Sequence, residues 1–283
     1  MDEITQKAIQ RIQFAYETAD SRNESLIVAY SGGKDSDVLL DLAVKSDVHF
    51  VAEHNHTTVD APATVYHIRE VFSKLESRGI PTKINNPDIS MWELIAKKLM
   101  PPTRIARYCC EYLKERWFEN QQIMTGVRWS ESFNRSKRGF HEVLSKNKEK
   151  RIVYVDENDD KRRLIEMCQM HKRIAHNPII DWSDKNIWEY IRSNDMKTNP
   201  LYEQRFRRVG CIGCPMAGSK GQLREFSMFP KYKRMYIRAF EKMLENRKNR
   251  ELYINEQWKD GESVFRWWTD PNFNVNQLTL ELE

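Results

Sequence analysis

The stretch Leu26-Ile27-Val28-Ala29-Tyr30-Ser31-Gly32-Gly33-Lys34-Asp35-Ser36 decides how the rest of the chain is read. Leu26 to Tyr30 is a short apolar run of the kind buried in a parallel strand. Two glycines follow, then Val38, Leu39, Leu40, Leu42 and Ala43 at helical spacing. The stretch therefore predicts a strand, a glycine turn and a helix start. Glycines let the backbone come close to a ligand, and first-turn N–H groups with the helix dipole favour an anion. Ser31 and Ser36 add hydroxyls and Lys34 a positive charge. Asp35 is out of place in a bare phosphate cradle and points to a metal ion bridging to phosphate. The Walker loop needs four residues between its first glycine and Gly-Lys-Ser/Thr, and this stretch lacks them.

Outward from there, the chain reads as an α/β protein. Residues 3 to 20 are amphipathic, a helix before the first strand. Val48 to Glu53 predicts a second strand, and strand–helix–strand at this spacing implies a right-handed parallel crossover. It runs into His54-Asn55-His56-Thr57-Thr58-Val59-Asp60-Ala61-Pro62, a polar cluster on the edge where open α/β sheets bind ligands. His54 and His56 lack a third ligand and read as hydrogen-bonded pocket residues rather than a metal pair. Further on, the pattern predicts a helix over 64–77, a strand over 83–85 and a helix over 91–98. Ile123 to Arg128 reads as a strand that breaks at Gly126. Arg151 to Val155 and Lys161 to Glu166 read as a hairpin with an acidic tip. Asn177 to Trp182 reads as a short strand, and Ser183 as the cap of a helix carrying Ile187, Trp188 and Ile191. Phe265 to Trp268 reads as part of a packed helix rather than a base-stacking platform. The fold class expected is a doubly wound parallel sheet over 1–200, with a basic, cysteine-containing helical segment over 201–283 packed on it.

The chain has 283 residues, 40% hydrophobic and 11% aromatic, which suits a globular core and argues against disorder. Its net charge of +5 is mild and fits an anionic nucleotide or a nucleic acid. The surplus gathers between 205 and 250, where Arg205, Lys220, Arg224, Lys231, Arg234, Arg238 and others face only Glu225, Glu241 and Glu245. No apolar run approaches a membrane span. The polar N-terminus has no signal-peptide core, so a cytoplasmic protein is expected.

In that compartment the five cysteines are read as ligands or thiols rather than a disulfide framework. Cys211-Ile212-Gly213-Cys214 lets two thiolates face one centre. With Cys109 and Cys110 upstream, four sulfur ligands are available for zinc or an iron–sulfur cluster. Adjacent cysteines diverge, which is awkward for one zinc and easier for a cluster with several iron corners. A thioredoxin-type Cys-x-x-Cys would open a helix after a first strand, which this one does not. Cys168 reads as a buried apolar residue.

Ser-Gly-Gly-Lys-Asp-Ser after a strand resembles the pyrophosphate loop (PP-loop) of the adenine nucleotide alpha-hydrolase superfamily, which includes the N-type ATP pyrophosphatases. That loop, then Cys109-Cys110, then Thr125-Gly126-Val127-Arg128, then Cys211-x-x-Cys214, resembles the phosphoadenosine/adenosine phosphosulfate (PAPS/APS) reductase family over about residues 20 to 220. The resemblance implies nucleotide binding by Ser31, Gly32, Gly33, Lys34, Asp35 and Ser36, bordered by Thr57, Thr58 and Asp60. Gly126 and Arg128 would line the phosphate or sulfate end, with Arg135 and Arg138 as further candidates. Lys34, Asp35 and Arg128 are the expected catalytic residues. Cys109, Cys110, Cys211 and Cys214 would hold a 4Fe-4S cluster, with zinc as the alternative. ATP or APS/PAPS, with Mg2+, are the implied small molecules.

Two departures bear on the reaction. Ala61 and Ala63 replace a proline and a glutamate of the family's Thr-Thr-Val-Asp-Pro-Pro-Glu stretch. Sulfonucleotide-reducing members carry a nucleophilic cysteine in a Glu-Cys-Gly-Leu-His tail, and no cysteine follows Cys214 here. The favoured expectation is therefore ATP-dependent activation of an acceptor in sulfur transfer, similar to the family's DNA phosphorothioation branch. Its partners would be a sulfur donor protein and a nucleic acid on the basic segment. The alternatives are sulfonucleotide reduction with a thiol supplied in trans, and a nucleotide-sensing scaffold whose metal centre is structural.

Overall fold

The computed structural model describes residues 2–115, 121–144, 152–154 and 173–270. The expected second hairpin strand at 161–166, Cys168 and the end of the chain beyond Asp270 lie outside them. Among the described residues no helix is long and apolar enough to cross a membrane. The chain forms two compact units. The first is Met1–Asn55, Pro62–Asn85 and Trp117–Val209, and the second His56–Ala61, Asn86–Arg116 and Gly210–Glu283.

The first unit is built on one sheet. Helix α1 (Glu3–Asp20) starts at Asp2, whose carboxylate takes the Thr5 N–H at 2.9 Å. Strand β1 (Leu26–Ala29) is followed by α2 (Lys34–Lys45), β2 (Val51–Asn55), α3 (Pro62–Glu76) and β3 (Thr82–Asn85). After them come β4 (Gln122–Met124), β5 (His141–Leu144), β6 (Ile152–Tyr154) and β7 (Arg173–His176). The order across the sheet is β3-β2-β1-β4-β7-β5-β6. The first five run parallel, with Ile27 beside Val51 and Ile123, and Ile123 beside Ala175. This is the α/β parallel sheet that the apolar runs predict. One core cluster gathers Ala8 and Ile12 of α1, Leu39 and Leu42 of α2, Val28 and Met124 of the sheet, and Ile187 and Ile191 of a later helix.

The chain leaves β1 for β2 on one side and, after β3, returns to β4 on the other. A reversal of this kind opens a crevice beyond the carboxyl ends of β1 and β4, where open α/β sheets take their ligands. The loops after β1 and β4 carry Ser31–Ser36 and Gly126–Arg128.

Two sequence expectations are corrected. Residues 177–182 do not form a strand; the strand is β7, immediately before them, and 178–181 are a turn. Pro178 has no N–H for a ladder, and the backbone there serves other partners. Arg11 takes the Pro178 carbonyl at 2.9 Å, and Trp129 N–H donates to Ile180 O at 2.7 Å. Residues 152–154 form a strand as expected, but they pair antiparallel with β5, a strand that the apolar pattern does not reveal. Beyond the turn, Ser183 caps α6 (Asp184–Ser193) by accepting the Asn186 N–H at 3.1 Å, as its sequence predicts.

In the second unit, α4 (Met91–Lys98) is followed by a short helix α5 (Tyr108–Cys110), which continues as a π-helical turn over Glu111–Glu115. Helices α7 (Gly218–Met228), α8 (Pro230–Asn249) and α9 (Gly261–Thr269) complete it. Its core is aromatic. Tyr236 lies 4.9 Å from Trp92 and 4.8 Å from Trp268, and Phe226 lies 4.9 Å from Phe265, as ring centroids. The Phe265–Trp268 segment is thus a core element, as expected.

Candidate functional site

The glycine loop of the first unit is held from several sides. Gly32 sits at φ +71°, and a Cβ there would lie 2.9 Å from Ile68 Cγ1, so both conformation and space require glycine. Ser36 Oγ accepts the N–H groups of Gly33 (3.2 Å) and Ser31 (3.3 Å) and donates to Gly33 O at 2.8 Å. Asn199, fully buried, donates to Gly32 O and to Thr64 Oγ1, both at 3.0 Å. The Tyr202 hydroxyl accepts the Lys34 N–H at 2.9 Å. Behind the loop, buried Asp37 accepts Tyr30 OH at 2.5 Å and stands 3.0 Å from His67 Nε2. Burial, then the Asp37 charge, pushes the Tyr30 phenol far above its usual range. First-turn N–H groups have no intrahelical partner. At α2, Tyr202 takes the N–H of Lys34, the first of these groups.

Four charged side chains meet at the start of α2. Lys34 Nζ is 3.1 Å from both Asp35 carboxylate oxygens and 3.0 Å from Asp184 Oδ1. Arg128 Nη2 donates to the same Asp184 oxygen at 2.8 Å. Its Nε lies 2.7 Å from Asp35 Oδ1, a charge contact without hydrogen-bond alignment, which leaves that buried N–H without an aligned acceptor. Nη1 is held by Ser130 Oγ (2.8 Å) and Trp182 O (3.2 Å). Lys34 and Arg128 are buried, whereas the Asp184 side chain is 65% exposed. Burial raises the Asp184 pKa, but the hydrogen bonds and charges of Lys34 and Arg128 outweigh it and hold the carboxyl below its ordinary value. Gly126 lets this arrangement close. A Cβ there would stand 3.0 Å from Asp35 C and O.

The second unit gathers the cysteines. Cys109, Cys110, Cys211 and Cys214 are all free and partly buried. The hydrogen bond from Cys109 lowers Cys110 against burial, with Lys114 and Arg107 assisting, and Cys109 is correspondingly raised. Arg107 Nη2 is 3.4 Å from Cys110 Sγ. Lys114 is raised by the negative charge of Cys211 against burial, with Asp60, Cys110 and Cys214 adding to it. Three of the four sulfurs, Cys211, Cys110 and Cys214, thus lie within electrostatic reach of this one lysine, and the same three act on Cys109. Among the described residues no group of three or more Cys, His, Asp or Glu side chains is placed to hold a metal ion.

The Cys211–Cys214 turn is fixed by its neighbours. Asp60 and Cys211 form a β-bridge, and Ile212 N–H donates to Val59 O at 2.8 Å. Tyr232 OH donates to Asp60 O at 2.9 Å and Tyr236 OH to Ile212 O at 3.0 Å. Gly213 sits at φ +75°, with Tyr236 and Trp268 atoms 3.1 Å from where a Cβ would be. Thr57 Oγ1 is 3.5 Å from Cys211 Sγ. Asp60 accepts from Thr57 N (2.7 Å) and Thr57 Oγ1 (2.8 Å).

Residues 25–217 match the family profile of the phosphoadenosine phosphosulfate reductase domain, which is most of the chain. This protein belongs to the PAPS reductase family. It is 27% identical to an uncharacterised protein of Methanocaldococcus jannaschii over 239 residues, covering 81% of this chain and 51% of the relative. A second uncharacterised protein of that organism is also 27% identical, with 42% of its length covered, so the chain spans about half the length of these archaeal relatives. An adenosine 5'-phosphosulfate reductase of Staphylococcus haemolyticus is 25% identical, covering 75% of this chain and 78% of that enzyme. Among solved structures, the phosphate complex of a PAPS reductase from Candida auris aligns at TM-score 0.46 and 17% identity. That alignment covers 70% of this chain and 87% of the other.

Within this family member, Ser31, Gly32, Gly33, Lys34, Asp35, Ser36, Gly126 and Arg128 come together in the first unit. Arg135 is instead paired with Glu131, and Arg138 with Glu142 at 3.0 Å. Thr57 and Asp60 engage Cys211 within the second unit, and Thr58 Oγ1 takes the Met91 N–H at 2.9 Å. The four cysteines share that unit. Asp184, Asn199 and Tyr202 escape the sequence reading. The one available signal was the Asn199-Pro200 break, which marks a change of direction and not a partner.

Proposed function

We propose that this PAPS reductase family member is an enzyme that grips the phosphate chain of an adenine nucleotide at Ser31–Ser36 and acts in sulfur transfer. The favoured reaction is ATP-dependent activation of an acceptor. The observation that carries the reading is the pair of buried cations, Lys34 and Arg128, meeting at the glycine turn on the switch point of the sheet. An acceptor oxygen attacks the α-phosphorus, the bond to the β-phosphate oxygen breaks, and pyrophosphate leaves with the charge. The N–H groups of Asp35 and Ser36, with Lys34 and Arg128, meet that charge as it develops. Asp35 is the candidate Mg2+ ligand.

Cys109, Cys110, Cys211 and Cys214 are the donor set proposed for a 4Fe-4S cluster: they are four soft sulfur ligands, Cys109 is within electrostatic reach of the other three, and Lys114 offsets the charge of Cys110, Cys211 and Cys214. Zinc is the alternative for the same sulfurs. When bound, the cluster would supply a centre that holds or delivers sulfur. Thr57, Arg107 and the Tyr232–Tyr236 pair position the sulfurs. Exposed Lys220, Arg224, Lys231, Arg234 and Arg238 give a nucleic acid phosphates to meet. A sulfur donor protein completes the proposed partners.

The APS reductase relatives favour a second reading, sulfonucleotide reduction with the attacking thiol supplied in trans. The test uses anaerobically purified protein assayed for iron, sulfide and zinc. Pyrophosphate release from ATP is then measured with and without nucleic acid, alongside sulfite release from APS and PAPS with added thiol. Nucleotide-dependent pyrophosphate release is expected. Sulfite release instead would establish the second reading, and neither product would leave a nucleotide-sensing scaffold.

A further inference from the structure

Lys34 of the glycine loop and Arg128 of the loop after β4 share one partner that the sequence reading does not contain. Oδ1 of Asp184 is 3.0 Å from Lys34 Nζ and accepts from Arg128 Nη2 at 2.8 Å. A single oxygen thus receives both positive groups, as a phosphate oxygen would. The contrast in exposure is large: the Asp184 side chain is 65% exposed, against 6% for Lys34 and 3% for Arg128. The cations are fixed by their surroundings. Arg128 is anchored independently by Ser130, Trp182 O and Asp35. Asp184 is the first residue of α6, whose cap is Ser183, so helix start and carboxylate are separable.

We infer that Asp184 is an internal anion that occupies the cation pair of the phosphate site and is displaced when a polyanionic ligand enters. The inference rests on the proposed reading of Ser31–Ser36 as a phosphate loop. It narrows the ligand class. A lone monoanion exchanges one charge for another and gains little. A phosphoanhydride brings several charges, so it satisfies Lys34 and Arg128 as well as the first-turn N–H groups of α2, which Asp184 does not reach. The released carboxylate is already largely in water and loses little by turning outward.

The experiment is calorimetric titration of the full chain with inorganic pyrophosphate, for wild type, Asp184→Asn and Asp184→Ser, with adenosine as the uncharged control. Both substitutions remove the competing charge and keep a polar side chain in the first turn of α6. Pyrophosphate should bind up to about fivefold more tightly to both variants, the upper end of what exposed ion pairs contribute. The gain should shrink as salt is added, because salt already weakens the internal pair. Adenosine affinity should not change. Equal or weaker pyrophosphate binding by both variants, with melting temperatures at the wild-type value, overturns the inference and makes Asp184 a support for Lys34 rather than its competitor. Absence of pyrophosphate binding by wild type and variants alike refutes the phosphate-loop reading itself, and the inference with it.

Discussion

Acid should weaken this protein through one buried imidazole, and the structure sets the size of the effect. His176 is fully buried on β7, opposite His141 of β5. Gln122 donates through Nε2 to Glu24 Oε2 at 2.8 Å, so its oxygen faces His176 Nε2 at 3.0 Å and must accept. His176 therefore carries its proton on Nε2, and Nδ1 accepts from His141 Nδ1, 2.7 Å away. A second proton would place a donor against a donor in a fully buried site. Burial accordingly pushes His176 down from 6.5 to about 3. The unfolded chain takes up a proton that the folded one refuses, so stability is complete above about 6.5 and falls as pH drops from there towards 3. The loss is about 1.4 kcal/mol per pH unit, which gives about 2 kcal/mol at pH 5. The assay is urea unfolding at pH 7.5 and 5.0 for wild type and His176→Gln. Carboxylates contribute to both proteins alike, so the difference between the two pH-dependent losses isolates the histidine. A loss as large in His176→Gln as in wild type would refute the assignment. The consequence reaches the proposed site, because Thr125 N–H donates to His176 O at 2.8 Å and Gly126 is the next residue.

Gly126→Ala forces a methyl against the Asp35 carbonyl, which costs about 1–3 kcal/mol; thermal unfolding should show the loss and calorimetry a weaker hold on pyrophosphate. Tyr202→Phe keeps the ring but strips the acceptor from Lys34 N–H, and should lower stability by about 1 kcal/mol in urea. Gly213→Ala meets both a positive φ and an occupied space; it should cost more than about 2 kcal/mol and reduce bound iron or zinc after anaerobic preparation. Wild-type melting and metal content in Gly213→Ala would remove the argument that this turn presents Cys211 and Cys214.

The glycine loop was legible because its determinants are local. An apolar run, two glycines and a helical repeat specify strand, turn and helix within one short stretch, and Ser36 closes the turn on itself. The Ser183 cap was legible for the same reason. What the sequence hid is long-range. Asp184 looks like an ordinary first-turn acid, and Asn199 and Tyr202 look like loop residues, because their partners are far away in the chain. Strand β5 was hidden because its buried His141 and Glu142 are polar and break the apolar signal that marks a strand. Glu142 is held there by Arg138 and by Gly139 N–H. The strand expected over 177–182 was misplaced because Ile179 and Ile180 are buried in a turn, and burial alone cannot tell a turn from a strand.

These hidden partners explain how a short glycine loop can hold its shape before any ligand arrives. A flexible loop would have to be ordered on binding, at a cost of about 1–2 kcal/mol for each residue fixed. Here Ser36 fixes the turn from within, and Asn199 ties Gly32 to Thr64 of α3. Tyr202 holds the first N–H of α2, while Tyr30, Asp37 and His67 brace the loop from behind. In the proposed reaction, donors set in place beforehand need not reorganise when charge moves onto a leaving pyrophosphate, which is when their stabilisation counts most. Substituting Asn199, whose side chain engages the loop through the Gly32 carbonyl, by Ala should therefore weaken pyrophosphate binding, and the loss should be mainly entropic in calorimetry. Unchanged binding entropy in Asn199→Ala would show that the loop is ordered by its own glycine geometry, and that the surrounding side chains merely follow it.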